Sequence, residues 1–472
     1  MRRRIGLIGL ALAIATSTGT TAQTFPDLAA DAPAGSGELE ACTIEGVDGT
    51  ARCGRFRVFE DRDARSGRTI DLAFVILDAT GEGGAASDVL IPLPGGPGQG
   101  FTNAGPAFAQ IARPMRRTRD VLLVDVRGVG RSRTLDCPDF EIELADRFGT
   151  VFPPDHIRMC RDALAEHARL DLYTTPLSVD DVDELRTWLG YDAVNLLGVS
   201  YGTRVGQVYM RRHPQAVRTA ILNSVAPVFV LGYVEMARSL QRSLDLVVAE
   251  CEETTECAAA HPGLRGKLDD VLARFERGPV NAVVDGETVA FTKGDFAYAL
   301  RGLLYGQSEG VPDVIVSAFE GDFDEVASYY VQRSGWVGSV GGEAGYHFSA
   351  LCPEDILPLT DGEVAEASEG TFMGDHLIAG YRETCRIWGA RPADDDFWDP
   401  VESDVPTLVV SGEFDPVTPP AWGDAVAGYL PNSIHVVVPG GGHGPGNECT
   451  LGLMTRLIET GGIEDLDPSC MG

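Results

Sequence analysis

Hydrophobic residues in the first half of the chain occur in short unbroken runs, and most of these runs end in residues that favour turns. The runs at 88–93, 121–126 and 193–197 are too short for helices and consist largely of Val, Leu and Ile. Continuous apolar runs of this length are typical of strands buried on both faces of a sheet. We therefore predict strands at these positions, and two further strands at 69–77 and 219–223.

Helical spacing appears between these runs. Apolar residues three and four positions apart predict a helix over 178–189 with Ser178 as its N-cap, and a second helix over 201–212. The alternation stops after about residue 227 and returns with strands at 407–411 and 434–438. Alternating strands and helices predict an α/β fold, a mostly parallel sheet with helices on both faces.

The break in the pattern divides the chain into parts. We expect a core formed by residues 23–226 and 401–472, with residues 23–40 as a loose leader. Between the two core parts, residues 227–400 contain mostly helical stretches and are expected to form a large cap.

The N-terminus has the features of a secretory signal peptide. Three arginines at 2–4 precede a 12-residue apolar run at 5–16, and small residues at 20–22 offer a cleavage site. The run is too short to span a membrane, which takes about 20 apolar residues. We therefore predict a signal peptide over residues 1–22 and an exported mature chain, periplasmic or secreted, without a membrane segment.

The amino-acid composition excludes one class of binding partner. The 472 residues include 70 acidic and 38 basic side chains, which gives a net charge of −32. Nucleic acid binding needs a cationic surface, so we expect no nucleic acid partner. The oligomeric state stays open.

Ten cysteines follow the signal peptide, and an even number in an exported chain indicates disulfides. Sequence alone does not determine connectivity, but near-neighbour pairing would join Cys42 to Cys53, Cys137 to Cys160, Cys251 to Cys257, Cys352 to Cys385 and Cys449 to Cys470. Metal binding is the competing interpretation, and no CxxC or CxxH pair supports it. We expect neither a metal nor an organic cofactor.

Gly198-Val199-Ser200-Tyr201-Gly202 is a G-x-S-x-G motif between a predicted strand and a predicted helix. A serine on such a sharp turn projects above the carboxyl edge of the sheet, and this context favours a nucleophile. Ser200 is therefore the candidate nucleophile.

A nucleophilic serine needs a base, and the base needs an acid that orients it. His435 lies inside a predicted strand, whereas His443 follows that strand in a glycine-rich loop at the same edge as Ser200. We predict His443 as the base. Asp415 follows the strand at 407–411 and is the predicted acid, with Glu413 as the alternative.

The oxyanion formed in acyl transfer needs fixed N–H donors. The backbone N–H of Tyr201 is one candidate. The second is Gly96, in the Pro-Gly-Gly-Pro-Gly loop that follows the strand at 88–93.

Five motifs together resemble the α/β-hydrolase family, and more narrowly its exported proline iminopeptidases and tripeptidyl aminopeptidases. They are residues 94–98, 125–132, 198–202, 415–419 and 442–444, and the resemblance spans about residues 40–460. Proline iminopeptidases usually begin the first motif with His, whereas Pro94 is more similar to the tripeptidyl aminopeptidase form.

The resemblance also implies an amine-binding site in the cap. The segment at 352–355 is similar to a Cys-x-Glu-Asp stretch of the family near the substrate's α-ammonium group, so Glu354 is the candidate anchor and Asp355 the second. The expected function is a serine aminopeptidase that acts on peptides with a free N-terminus. A carboxylic-ester hydrolase with the same triad and a non-catalytic, hydrolase-like binding protein are the alternatives.

Overall fold

The computed structural model describes residues 25–102, 105–138, 142–333 and 343–471 of the chain. The predicted signal peptide at residues 1–22 lies outside the described residues.

A nine-stranded sheet forms the centre of the molecule, in the order β1-β2-β3-β5-β4-β6-β7-β10-β11. β1 to β3 and β5 pair antiparallel, and every other neighbouring pair is parallel. The strands are β1 Gly37–Cys42, β2 Ala51–Phe59, β3 Thr69–Leu77, β4 Asp88–Leu93, β5 Val121–Val124, β6 Ala193–Val199, β7 Val217–Asn223, β10 Thr407–Gly412 and β11 Ser433–Val438. A separate hairpin pairs β8 Val280–Val284 with β9 Glu287–Phe291.

Helices follow the strands and fill the interval between β7 and β10. The first group is α1 Gly105–Ile111, α2 Pro154–Ala165, α3 Thr175–Leu189 and α4 Tyr201–Arg212. Between β7 and β10 lie α5 Gly232–Glu253, α6 Thr255–Ala260, α7 Leu264–Phe275, α8 Lys293–Gly306, α9 Val311–Glu320, α10 Asp324–Arg333, α11 Ala344–Leu351, α12 Asp361–Ser368 and α13 His376–Trp388. The last two are α14 Pro420–Ala427 and α15 Glu448–Thr460.

The two faces of the sheet bury separate hydrophobic clusters. One cluster includes Val179 and Val208 of α3 and α4, and it extends into the helices between β7 and β10. The other includes Ala109 of α1 and Leu457 of α15. Both faces are therefore covered by helices, which confirms the predicted fold class. The division into core and cap remains a prediction, although the interval between β7 and β10 is mainly helical.

The nine strands of this sheet include all seven predicted ones. The strand predicted at 121–126 ends two residues earlier, at Val124. The two remaining strands, β1 and β2, were not predicted. β1 overturns the expectation of a loose leader, since residues 37–40 pair with β2. Its sequence Gly-Glu-Leu-Glu-Ala-Cys is polar at alternate positions because the strand lies at the sheet edge and is largely open to solvent.

The start of α3 also differs from the prediction. The helix begins at Thr175, with Thr174 as its N-cap and Pro176 in the first turn, a position that suits proline. Ser178, the predicted N-cap, is buried inside the helix, where its hydroxyl lies 2.9 Å from that of Tyr346.

All five predicted disulfide pairings are present. The bonded pairs are Cys42–Cys53, Cys137–Cys160, Cys251–Cys257, Cys352–Cys385 and Cys449–Cys470. Each bond joins residues at most 33 positions apart, so each closes a short loop.

Candidate active site

Ser200 lies at the turn between β6 and α4, at the carboxyl edge of the sheet. Its φ of 58° is in the left-handed region, which non-glycine residues rarely adopt. The N–H of Ser200 donates to Asn223 O at 3.0 Å, and Thr203 N donates to Ser200 O at 2.9 Å. The turn is therefore held from the end of β7 on one side and from α4 on the other.

The glycines of the G-x-S-x-G motif are required by close packing. A Cβ at Gly202 would collide with the carbonyl group of Leu93 at the end of β4, and a Cβ at Gly198 would collide with the backbone of Gly202. This spacing of glycines allows the strand and the helix to approach closely enough to form the turn that carries Ser200.

His443 and Asp415 form a close pair. The Nδ1 atom of His443 lies 3.0 Å from each carboxylate oxygen of Asp415. The His443 side chain is 8% exposed and that of Asp415 is fully buried. The Nε2 atom of His443 is buried and has no hydrogen-bond partner among the described residues. Hydrogen bonds to a catalytic imidazole are often long or poorly aligned in unliganded structures.

Asp415 is surrounded by hydrogen-bond donors. Val417 N and Thr418 N donate to it at 2.9 Å, and the hydroxyls of Thr418 and Ser224 donate at 2.8 Å. Burial acts to raise the pKa of Asp415, but His443 and these backbone donors lower it below its usual value. The carboxylate is thus held ionised beside the imidazole.

Ser224 links the two loops that carry this pair. It follows β7, donates to Asp415, and accepts a 2.8 Å hydrogen bond from the N–H of Gly444, the residue after His443. No sequence motif indicated Ser224, because its role depends on β7 and β10 being neighbours in the sheet.

The glycine-rich loop after β4 passes directly beside Ser200. A Cβ built on Gly95 would lie 3.3 Å from that of Ser200, and Gly96 adopts a φ of 111°. Asp125 holds the far end of this loop, because its carboxylate accepts from Phe101 N at 2.7 Å and Thr102 N at 3.0 Å. Of the two predicted oxyanion donors, Tyr201 directly follows Ser200, and Gly96 follows Gly95 in this loop.

Tyr305 of α8 covers His443. The two rings lie 4.7 Å apart between centroids. Burial raises the pKa of Tyr305 to about 12, so its hydroxyl keeps its proton at neutral pH. Tyr305 was not predicted, because its position in the helix pattern of α8 resembles that of an ordinary packing residue.

The two predicted amine-binding carboxylates are both buried and have partners within the protein. Glu354 accepts from Thr175 N at 2.8 Å and from the Thr175 hydroxyl at 2.7 Å. That hydroxyl also contacts the hydroxyl of Tyr201. Burial raises the pKa of Glu354 to about 7. Asp355 instead forms a 2.6 Å ion pair with Arg204 and accepts from Tyr233 N at 3.2 Å.

A second histidine lies against the glycine-rich loop. The ring of His347 is buried, with Nδ1 3.1 Å from Pro97 O and Nε2 3.1 Å from the Tyr381 hydroxyl. Burial lowers the pKa of His347 to about 4, so the ring is neutral at physiological pH. His347 therefore supports the loop as an uncharged hydrogen-bonding group.

Within the described residues there is no group of three His, Cys, Asp or Glu side chains arranged to hold a metal ion. In the same part of the chain, no helix combines the length and apolar character needed to cross a membrane.

Two family models match the chain. Residues 88–261 match the model described as alpha/beta hydrolase fold, and residues 371–470 match the model described as TAP-like protein. The first match includes Ser200 and the glycine-rich loop, and the second includes Asp415 and His443.

Curated relatives include two kinds of peptidase. The serine protease Hip1 of Mycobacterium tuberculosis is 25% identical over 439 residues, which cover 82% of this chain and 81% of the relative. The tripeptidyl aminopeptidase of Streptomyces lividans is 32% identical over 192 residues, 37% of this chain and 35% of the relative. Among solved structures, the proline iminopeptidase of Mycobacterium smegmatis aligns over 83% of this chain and 95% of its own, with 18% identity and a TM-score of 0.40.

Proposed function

We propose that this chain, an α/β hydrolase similar in sequence to serine proteases and aminopeptidases, is an exported serine aminopeptidase. It releases an N-terminal proline, another amino acid or a short peptide from peptides with a free amine. The observation that carries the proposal is the paired His443 and Asp415 beside the strained turn of Ser200.

The proposed reaction proceeds through an acyl-enzyme. Ser200 Oγ attacks the scissile carbonyl carbon while His443 Nε2 takes its proton, and Asp415 holds the imidazole in the tautomer with Nε2 free. The N–H groups of Tyr201 and Gly96 stabilise the oxyanion. When the C–N bond breaks, His443 gives its proton to the leaving amine. Water then attacks the ester carbonyl, again with His443 as base, and Ser200 is regenerated.

Glu354 is the proposed anchor for the substrate's ammonium group. None of the described residues forms an ion pair with Glu354, whereas the neighbouring Asp355 is neutralised by Arg204. Each oxygen of Glu354 receives one hydrogen bond from Thr175. Since a carboxylate has about four acceptor sites, acceptor capacity remains for an ammonium group.

Export rests on the predicted signal peptide and on the five disulfides, because disulfides persist in oxidising compartments outside the cytoplasm. Expression of the full chain followed by N-terminal sequencing of the extracytoplasmic product tests this. A new N-terminus near residue 23 would support export, and an intact Met1 in the cytoplasm would contradict it.

A hydrolysis panel tests the activity. Wild type, Ser200→Ala and the exposed control Ser87→Ala would be compared on free-amine Pro, Ala and Ala-Ala-Pro aminomethylcoumarin amides, on their N-acetyl forms, and on short-chain p-nitrophenyl esters. We expect only the free amines to react well, with a loss of about 10⁶-fold in Ser200→Ala and none in Ser87→Ala.

Two other outcomes would identify the alternatives. If only the esters react, the protein is a carboxylic-ester hydrolase and Glu354 is not an amine anchor. If nothing reacts above the level of Ser200→Ala, the protein is a binding protein with a hydrolase fold. The variant Glu354→Gln, with the exposed Glu369→Gln as control, would separately test the preference for a free amine.

A further inference from the structure

Arg301 lies near the proposed catalytic residues and has no hydrogen-bond acceptor or anion among the described residues. It lies on α8, one turn before Tyr305, and is half-buried. Its Nε atom is buried and makes no hydrogen bond, and none of the described residues forms an ion pair or hydrogen bond with its guanidinium group.

Two arginines that are more deeply buried than Arg301 are paired with carboxylates. Arg127 contacts Asp181 at 2.7 Å and Arg204 contacts Asp355 at 2.6 Å, and both also donate to backbone carbonyls. An arginine remains charged in proteins, and burying it without an acceptor is costly. The Nε atom of Arg204 also lacks a partner, but its terminal nitrogens have acceptors, whereas no acceptor for Arg301 lies among the described residues.

Tyrosine rings surround Arg301. Its Cζ atom lies 5.3 Å from the ring centroid of Tyr298 and 5.5 Å from that of Tyr305. The rings position the guanidinium group through cation–π contacts but offer no anion. The nearby hydroxyl of Tyr329 is also buried and has no hydrogen-bond partner among the described residues. Two unpartnered polar groups thus lie together in this part of the cap.

Arg301 lies close enough to His443 for one substrate to contact both residues. The ring of Tyr305 contacts both Arg301 and His443, so the guanidinium carbon lies at most about 10 Å from the imidazole centroid. One extended residue spans roughly 3.3–3.6 Å. A group that reaches Arg301 must therefore belong to a residue within about three positions of the scissile bond.

We propose that Arg301 binds a carboxylate of the peptide substrate and so determines specificity for peptides with a negative charge close to the cleaved bond. The planar guanidinium fork matches a carboxylate in a bidentate contact. The carboxylate has two sources, the free C-terminus of a short peptide or an acidic side chain next to the scissile bond. This inference rests on the proposed peptidase function.

Two pairs of matched peptides would distinguish the two sources of the carboxylate. Ala-Ala-Pro-Ala-Ala with a free C-terminus would be compared with its C-terminal amide, and Ala-Ala-Pro-Asp-Ala amide with Ala-Ala-Pro-Asn-Ala amide. We expect wild type to prefer the charged member of at least one pair by about 10- to 100-fold in kcat/KM, mostly through KM, since a charge-assisted hydrogen bond contributes about 1.5–3 kcal/mol. The preferred pair identifies the source.

Variants of Arg301 then test whether this residue causes the preference for the charged peptide. In Arg301→Met the ratio should fall to about one, and in Arg301→Lys part of it should remain. Arg333→Met removes an exposed cap arginine that lies over the ring of Tyr329, and it should keep the wild-type ratio. If Arg301→Met does not fold, inhibition of wild type by Ala-Ala and by its C-terminal amide gives a second measurement, in which the free acid should bind more tightly if the C-terminus is the source.

The outcomes distinguish the inference from the proposed function. If wild type cleaves charged and neutral peptides equally, or if Arg301→Met keeps the charge preference, Arg301 does not bind a substrate carboxylate although the peptidase function stands. If wild type cleaves no peptide at all, the proposed function fails and the inference fails with it.

Discussion

The ring of Tyr305 packs against the ring of His443, with 4.7 Å between the two ring centroids. The interval between β7 and β10 therefore supplies a side chain that packs against the proposed base. It shields the imidazole from solvent on the side that faces the helices.

Removing the Tyr305 ring should reduce turnover more than removing its hydroxyl. In Tyr305→Ala the imidazole of His443 loses its packing partner and becomes open to water. An aromatic pair contributes roughly 0.5–1.5 kcal/mol, and the lost burial adds to this. We therefore expect kcat to fall by about 10-fold or more. Tyr305→Phe should keep most of the activity. Steady-state kinetics measure both, and Tyr429→Phe, which alters an exposed tyrosine, serves as the control. Equal losses in Tyr305→Ala and Tyr305→Phe would contradict a packing role.

Asp415→Asn should inactivate the protein without unfolding it. The amide fills the same space but no longer favours the imidazole tautomer in which Nε2 can accept a proton, and such a change in a serine triad costs about 10⁴-fold in kcat. Thermal unfolding of the purified variant would serve as the check on folding. Activity within tenfold of wild type would point to Glu413 as the acid.

Ser224→Ala should weaken the link between the loops of Asp415 and His443. The variant loses a hydrogen bond to Asp415 and leaves the buried N–H of Gly444 without its acceptor. We expect a loss of about 1–3 kcal/mol in the free energy of unfolding, together with a lower kcat, while KM changes little. Urea denaturation and kinetics measure the two effects, and an unchanged kcat would show that the loops hold their geometry without Ser224.

Glu354 and His347 should affect stability with opposite dependence on pH. The pKa of Glu354 is raised to about 7 by burial, so its stabilising effect is complete below about pH 4.5 and is lost as the pH rises to about 7. The pKa of His347 is lowered to about 4 by burial, so its effect is complete above about pH 6.5 and is lost as the pH falls to about 4. The two trends overlap in wild type and partly cancel.

Urea denaturation between pH 4 and 8 would separate them. The stability of Glu354→Gln relative to wild type should increase as the pH rises through this window, and that of His347→Gln should increase as the pH falls. Each change should reach about 3 kcal/mol at most, which corresponds to a shift of two to three pKa units. Differences that stay constant with pH would contradict the burial effect.

The sequence revealed the sheet centre and the proposed triad for related reasons. Parallel strands buried on both faces leave unbroken apolar runs, as at Asp88–Leu93, and the loops at their carboxyl ends carry Ser200, Asp415 and His443. The edge strand β1 was not predicted because its polar residues face solvent and interrupt the apolar pattern. Arg301 and Tyr305 were not predicted because no local pattern shows which residues of α8 lie near His443.

Ser224 illustrates a different limit. Its contact with Asp415 joins residues 191 positions apart, and it exists only because β10 pairs with β7 after the long helical interval. A local motif can mark a reactive residue, whereas a support of this kind depends on the completed topology.

The insertion between β7 and β10 also sets an order of events during biosynthesis. Ser200 emerges about 240 residues before His443 when the chain is made or exported from its N-terminus. Until the last segment arrives, β10 and β11 are missing from the sheet, and Ser200 has neither the proposed base nor the acid. If the proposed triad is correct, a nascent chain or a chain truncated before β10 should therefore be inactive.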